Sequence, residues 1–176
     1  GAKTDENYQY YLGRIERHKP SKGLLFDVGV GSGTMLETAA RSGWAIEGLD
    51  VQPAQVEYLR KKLSCEIHLG LLENMDGAEA RYDAVTLIHV LEHTLNPVEF
   101  LNKCAAVLKP GGLLYAVFPN TANLSDRLKD ALSALGLKSR AYKHLAADHH
   151  LWFFTPAIAR ELVGKTKFRT LSVKTI

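Results

Sequence analysis

Residues 23–36 read GLLFDVGVGSGTML, and the reading of this stretch decides the fold. GLLFDV is a short, nearly unbroken apolar run, the pattern of a strand covered on both faces. From Thr34 the pattern changes: TMLETAARS (34–42) carries apolar residues three and four apart, as a helix does. Between the two, Gly29, Gly31 and Gly33 let the backbone turn tightly and come close to a ligand where a Cβ would collide. A strand, a glycine loop and a helix in that order start a parallel sheet, with a ligand at the carboxyl end of its first strand.

The same alternation continues outward. WAIEGLD (44–50), CEIHLG (65–70), YDAVTLI (82–88) and GLLYAVF (112–118) read as further strands. PAQVEYLRKKL (53–63) and PVEFLNKCAAVLK (97–109) read as helices, each with proline where a first turn tolerates it, and Gly111 and Gly112 stop the second. The order predicts an α/β fold: a doubly wound, mostly parallel Rossmann-like sheet with helices on both faces and right-handed crossovers. Residues 71–81 leave room for about two helical turns.

Beyond Phe118 the rhythm breaks. Residues 119–150 contain one amphipathic helix, with Leu124, Leu128, Ala131, Leu132 and Leu135 at helical spacing. FFTPAIARELV gives a last helix, capped by Thr155 and begun by Pro156, and KFRTLSVKTI alternates like an edge strand. The chain is read as a single domain, 1–176. Residues 1–20 hold a helix, whose tyrosines in YQYYLGRIERH either close over a ligand or pack in the core. Residues 120–150 form a helical lid insertion and acceptor pocket.

The chain has 176 residues, enough to bury a real core, with 46% hydrophobic and 23% charged residues, ordinary values for a globular protein. A net charge of +3 is too mild to argue for nucleic acid. No apolar run reaches a membrane-spanning length, and GAKTDENYQYY lacks the plan of a signal peptide, so the expected compartment is cytoplasmic. Cys65 and Cys104 make no disulfide framework, and Cys104, among apolar residues, reads as a buried thiol.

Asp50 ends the second strand, where a carboxylate is placed to accept hydrogen bonds from the two hydroxyls of a ribose. The glycine loop is G-x-G-x-G rather than the dinucleotide fingerprint G-x-G-x-x-G, and Asp27 precedes it. A carboxylate there would repel a pyrophosphate and suits the cationic amino end of S-adenosylmethionine. DVGVGSG, GLD, YDAVTLI followed by HVLEH, and LKPGG together resemble class I S-adenosylmethionine-dependent methyltransferases, from about residue 20 onward. The resemblance implies that Gly29, Gly31 and Gly33 border the methionine part, Asp50 binds the ribose, and Val51 and Gln52 flank adenine. Glu73 or Asn74 would stand near the adenine amine. It also implies a closing antiparallel hairpin, of which only the first strand is seen.

His89, Glu92 and His93 spell H-x-x-E-H, a zinc-protease pattern, but that motif needs a helix, and here His89 ends a buried strand. Leu91, Glu92 and His93 instead match the L-E-H of small-molecule methyltransferases. Two groups of relatives, ubiquinone-pathway O-methyltransferases and small-RNA 2′-O-methyltransferases, have E-x-x-E-H there and hold a divalent metal. The RNA enzymes add a histidine from a segment resembling DHHLWFFTP. The resemblance thus implies His93 and His150 as catalytic residues and His89 beside the cofactor. A metal version would use His89, Glu92, His93 and His149 or His150. His89 replaces a glutamate, an exchange that suits magnesium poorly and zinc or manganese better, and whether any metal is held stays open.

The expected function is methyl transfer from S-adenosylmethionine to an oxygen or nitrogen of a small-molecule or saccharide-like acceptor. The alternatives are a metal-assisted hydroxyl methyltransferase and a non-catalytic nucleoside- or partner-binding domain. The expected partner is a small molecule, with neither nucleic acid nor membrane; the oligomeric state is left open.

Overall fold

The computed structural model describes residues 2–120 and 150–175. Among these residues five strands make one sheet: β1 (Leu24–Val28), β2 (Ala45–Asp50), β3 (Glu66–Leu69), β4 (Tyr82–Ile88) and β5 (Leu108–Val117). Their order is β3-β2-β1-β4-β5, and every pairing is parallel. The order reverses between β1 and β4, so the two chain segments leaving those strands diverge and open a crevice at the carboxyl edge.

Among the described residues five helices cover the sheet: α1 (Ala2–His18), α2 (Thr34–Arg41), α3 (Pro53–Leu63), α4 (Pro97–Val107) and α5 (Pro156–Gly164). On one face Leu12, Ile15, Leu36 and Leu59 from α1, α2 and α3 pack over Leu25, Ile67 and Ala84. On the other, Phe100, Leu101 and Cys104 of α4 and Leu162 of α5 pack over Phe26, Val85 and Leu87. The strands other than the edge strand β3 feed residues to both cores, which is why their sequences are largely apolar. Burial among these side chains pushes the Cys104 thiol up, away from reactivity.

Sequence signals at the helix ends are visible as contacts. Asn96 Oδ1 accepts from Glu99 N at the start of α4, and Thr155 Oγ1 accepts from Ile158 N at the start of α5. In α1, Tyr8, Tyr11, Leu12 and Ile15 share one stripe; Leu12 and Ile15 are buried and the Tyr11 ring lies 5.8 Å from that of Tyr115. The N-terminal tyrosines therefore take part in packing.

Three readings need correction. The helix expected over 97–109 ends at Val107, and LKPGG is already strand: β5 pairs Leu108 with Tyr82, shifts register, and resumes at Leu113 against Ala84. A Cβ on Gly112 would lie 2.8 Å from the Lys109 carbonyl oxygen, so this glycine permits the kink at the start of the strand rather than stopping a helix. Residues 71–81 hold a single 3-10 turn at Leu72–Asn74. The alternating segment after Lys167 forms no ladder among the described residues. It is tethered by side chains: Phe168 packs on the α4 side of the sheet, and Arg14 Nη2 donates to Ser172 Oγ at 2.8 Å. Alternation alone makes no strand without a partner strand to supply its hydrogen bonds. The expected lid lies at 121–149, outside the described residues.

Candidate functional site

The glycine loop sits at the carboxyl edge of β1, beside the point where strand order reverses. Gly29 N and Val30 N both donate to the Leu49 carbonyl, at 2.8 and 3.2 Å, tying the loop to the end of β2 next to Asp50. Gly31 has φ +48, in the left-handed region, and a Cβ there would have only the Gly29 carbonyl oxygen near it, at 4.0 Å. Internal packing therefore does not require this glycine; the space above it is left open.

Asp50 faces that space from the end of β2. Its Oδ2 accepts from Gly31 N at 3.2 Å and its Oδ1 from Gln52 N at 2.9 Å. Each carboxylate oxygen keeps a further lone pair, so a diol can be received without breaking either contact. Val51 and Gln52 lie exposed on the rim, as do Glu73 and Asn74 in the turn after β3.

Asp27 is different in kind. It is buried, on the α1 face of the sheet, and Thr86 Oγ1 donates to its Oδ1 at 2.5 Å across β1 and β4. Burial, and secondarily the Asp50 charge, push its carboxyl up to about 7 despite the Thr86 bond. The same negative charge helps raise Tyr8 on α1, after burial of that ring itself. Thr86 was not singled out in the sequence: only the β1–β4 register brings it opposite Asp27.

A raised acid pKa means that the folded state holds a proton that the unfolded chain has lost. This contribution to stability is complete below the unfolded value near 4 and disappears as pH rises through about 7. Asp27→Asn should therefore flatten the pH dependence and make the ligand-free protein more stable than wild type at pH 8. By linkage the gain is at most about 4 kcal/mol. Urea melts of both proteins at pH 5 and pH 8 check this; equal stability at pH 8 would refute it.

The second part of the site lies after β4. A Cβ on Gly29 would come 2.6 Å from Val90 Cγ2, so the glycine loop abuts the chain leaving β4. Leu91–His93 is one 3-10 turn, not a helix, which removes the protease geometry. Glu92 is buried; its Oε1 is 3.2 Å from His89 Nδ1, and its Oε2 is buried without a hydrogen-bond partner. Such an orphan acceptor costs on the order of 1–3 kcal/mol, more for a charged group.

Backbone contacts bring the distant His150 here. Leu151 N and Trp152 N both donate to the Glu92 carbonyl, at 2.8 and 3.2 Å, and Trp152 Nε1 donates to the Thr94 carbonyl at 2.8 Å. The His93 and His150 rings then stand 4.9 Å apart. One ligand atom from each of Glu92, His93 and His150 lies within 4.8 Å of the others. His89 stands outside this group, about half exposed and in the left-handed region (φ 57), its backbone N bonded to the Val117 carbonyl. His149 lies outside the described residues.

Comparison with known proteins bears on these features. Residues 26–116, just over half of the chain, match the family model described as a methyltransferase domain. A ubiquinone biosynthesis O-methyltransferase of Methylocella silvestris is 34% identical over 108 residues, 58% of this chain and 42% of the relative. One from Cereibacter sphaeroides is 29% identical over 154 residues, 83% of this chain and 60% of the relative. The chain thus spans about half the length of the curated relatives it matches. Among solved structures, an S-adenosylmethionine-bound amino pentose methyltransferase, CalS10 of Micromonospora echinaspora, is 29% identical. It superposes with a TM-score of 0.56, covering 64% of this chain and 50% of that one. A methyltransferase from Archaeoglobus fulgidus shares the fold at 19% identity, with a TM-score of 0.69 over 94% of this chain and 69% of that one. No helix among the described residues is long and apolar enough to cross a membrane. With its sheet order, its glycine loop and this match, the chain belongs to the methyltransferase domain family, and its class is that of the S-adenosylmethionine-dependent class I methyltransferases.

Proposed function

We propose that this protein transfers the methyl group of S-adenosylmethionine to a hydroxyl oxygen of a small-molecule acceptor. The observation that carries the reading is the meeting of His93, His150 and buried Glu92 on the turn that abuts the glycine loop. The residues fit the cofactor: the open space over Gly31 takes its backbone-facing side, the free lone pairs of Asp50 take a ribose diol, and the buried Asp27 favours a cationic end. When bound, the cofactor supplies a methyl group already activated by the sulfonium.

The protein's own task is then to align the acceptor and deal with its proton. A hydroxyl is a poor nucleophile until that proton leaves, and an imidazole titrates where a base is needed at neutral pH. His93 on the β4 turn, with His150 beside it, is the group that takes the proton. An amine acceptor would present a lone pair directly and make little use of this cluster. The relatives named as O-methyltransferases point the same way.

A second reading is favoured by the orphan Glu92 Oε2: Glu92, His93 and His150 would hold a divalent cation, which when bound would lower the pKa of the acceptor hydroxyl. The donor set fits, since one carboxylate and two imidazoles form a common transition-metal site.

Mass spectrometry on hydroxylated and aminated versions of the same small-molecule skeletons tests the acceptor. Methylation of the hydroxyl compounds is expected. Methylation of the amines with none of the alcohols or phenols would overturn the proposal.

A further inference from the structure

We propose that Asp27 exchanges its proton for the ammonium group of the cofactor, so that S-adenosylmethionine binding releases a proton to solvent, and that Thr86 is the positioning residue that sets the pH of this exchange. The proposal rests on the cofactor assignment above. Strand register builds the place. Asp27 of β1 stands opposite Gly48 of β2 and Thr86 of β4, and Thr86 stands opposite Tyr115 of β5. Partners in register share one face of the sheet, here the face under α1. β2 presents no side chain at Gly48, and the space a Cβ would take there is filled by Val30, Leu36 and Ile67. Asp27 is thus closed in, 2% exposed, with Thr86 Oγ1 donating to it at 2.5 Å. Among the described residues no cationic side chain pairs with it.

The groups that face it from each side leave that gap. Asp50, at the end of β2, is negative and works against a second charge. Tyr8 and Tyr11 on α1 and Tyr115 on β5 are phenols raised by burial, Tyr115 to about 12, so all three are neutral near pH 7. Arg14 of α1 is turned to Ser172, and Glu37 of α2 is paired with Arg41 and Lys62. A buried acid with a hydroxyl donor and no counter-ion keeps its proton into the neutral range.

An ammonium group seated at the glycine loop supplies the positive charge that is missing, and an opposite charge within about 4–6 Å favours the ionised acid. The O–H bond of the Asp27 carboxyl breaks, its proton passes to the solvent buffer, and the electron pair stays on the carboxylate. No bond to the ligand forms. Thr86 can donate to Asp27 in both states, and a donor favours the charged one. It thereby keeps the exchange near neutral pH; without it the carboxyl would stay protonated and offer the ammonium no charge. The sign follows by linkage. Binding removes a proton, so affinity climbs with pH below the ligand-free midpoint of about 7 and levels off above it.

Titration calorimetry of the full chain with S-adenosylhomocysteine, in phosphate and in Tris, counts the protons released, because the two buffers take them up with different heats. Release of about half a proton at pH 7 is expected, with affinity rising roughly tenfold from pH 6 to pH 8. 5′-Methylthioadenosine, which keeps the nucleoside and lacks the ammonium, should release none. Asp27→Asn should abolish the release and flatten the pH dependence. Thr86→Val should move the midpoint upward and weaken binding about fivefold at pH 7, with recovery toward pH 8.5. Thr86→Ser, which keeps the hydroxyl, should restore the wild-type midpoint. Circular dichroism checks that each variant is folded. S-adenosylhomocysteine binding without proton release at pH 7, release that persists in Asp27→Asn, or equal release with 5′-methylthioadenosine would overturn the exchange. An unmoved midpoint in Thr86→Val would overturn the role of Thr86. If folded wild type binds no S-adenosylhomocysteine at any pH, the cofactor assignment itself falls, and this inference with it.

Discussion

Replacing His93 with alanine is expected to lower turnover by about 10²–10⁴-fold, the usual size of a general-base contribution, while S-adenosylhomocysteine affinity stays nearly unchanged. The separation follows from position. His93 stands on the turn after β4 beside His150, whereas Asp50 and the glycine loop, which would hold the nucleoside end, lie at the ends of β2 and β1. Single-turnover kinetics with saturating cofactor measures the first effect and calorimetry the second. Chelation separates the two roles of the residue: only a cation site loses activity on chelation and regains it with zinc or manganese. If His93→Ala lowers Tm by several degrees with turnover per folded molecule intact, its role is to hold the loop, and the catalytic assignment fails.

The second large effect is expected at the cofactor cradle. Asp50→Ala should weaken S-adenosylhomocysteine binding by roughly 1.5–3 kcal/mol, the value of hydrogen bonds to a charged group. Gly31→Val should abolish it. The valine would carry its side chain into the space now open above the loop and would have to adopt a left-handed backbone that β-branched residues avoid. NAD should not bind either variant or the wild type, because the loop is G-x-G-x-G rather than the dinucleotide fingerprint G-x-G-x-x-G. Calorimetry showing NAD bound and S-adenosylhomocysteine not bound would undo the cofactor assignment.

What could be read from the sequence was local. GLLFDVGVGSGTML contains its own strand, turn and helix start, and the carboxyl-edge position of Asp50 follows from one more strand. Parallel order with a reversal at β1 follows from the alternation of elements, because right-handed crossovers leave few other arrangements. The rest depends on contacts between distant segments. Nothing near Asp27 announces that Thr86 will bond it, and nothing in HVLEH shows that Glu92 will be buried with one oxygen unmatched. The pairing of His93 with His150 was suggested by resemblance, but the amides of Leu151 and Trp152 that produce it are ordinary backbone groups with no sequence signature. The expected final strand failed for a related reason: KFRTLSVKTI has the alternation but, among the described residues, no partner.

The bridge between Asn120 and Phe154, together with the two amides on the Glu92 carbonyl, has a consequence for how such a protein diversifies. Both ends of the stretch from 121 to 149 are fastened to the scaffold by main-chain atoms, which do not depend on side-chain identity. Insertion, deletion or wholesale exchange of this stretch can therefore proceed while His93 and His150 stay in register. The positions of His93 and His150 are then kept by a few backbone hydrogen bonds rather than by the identities of the residues between.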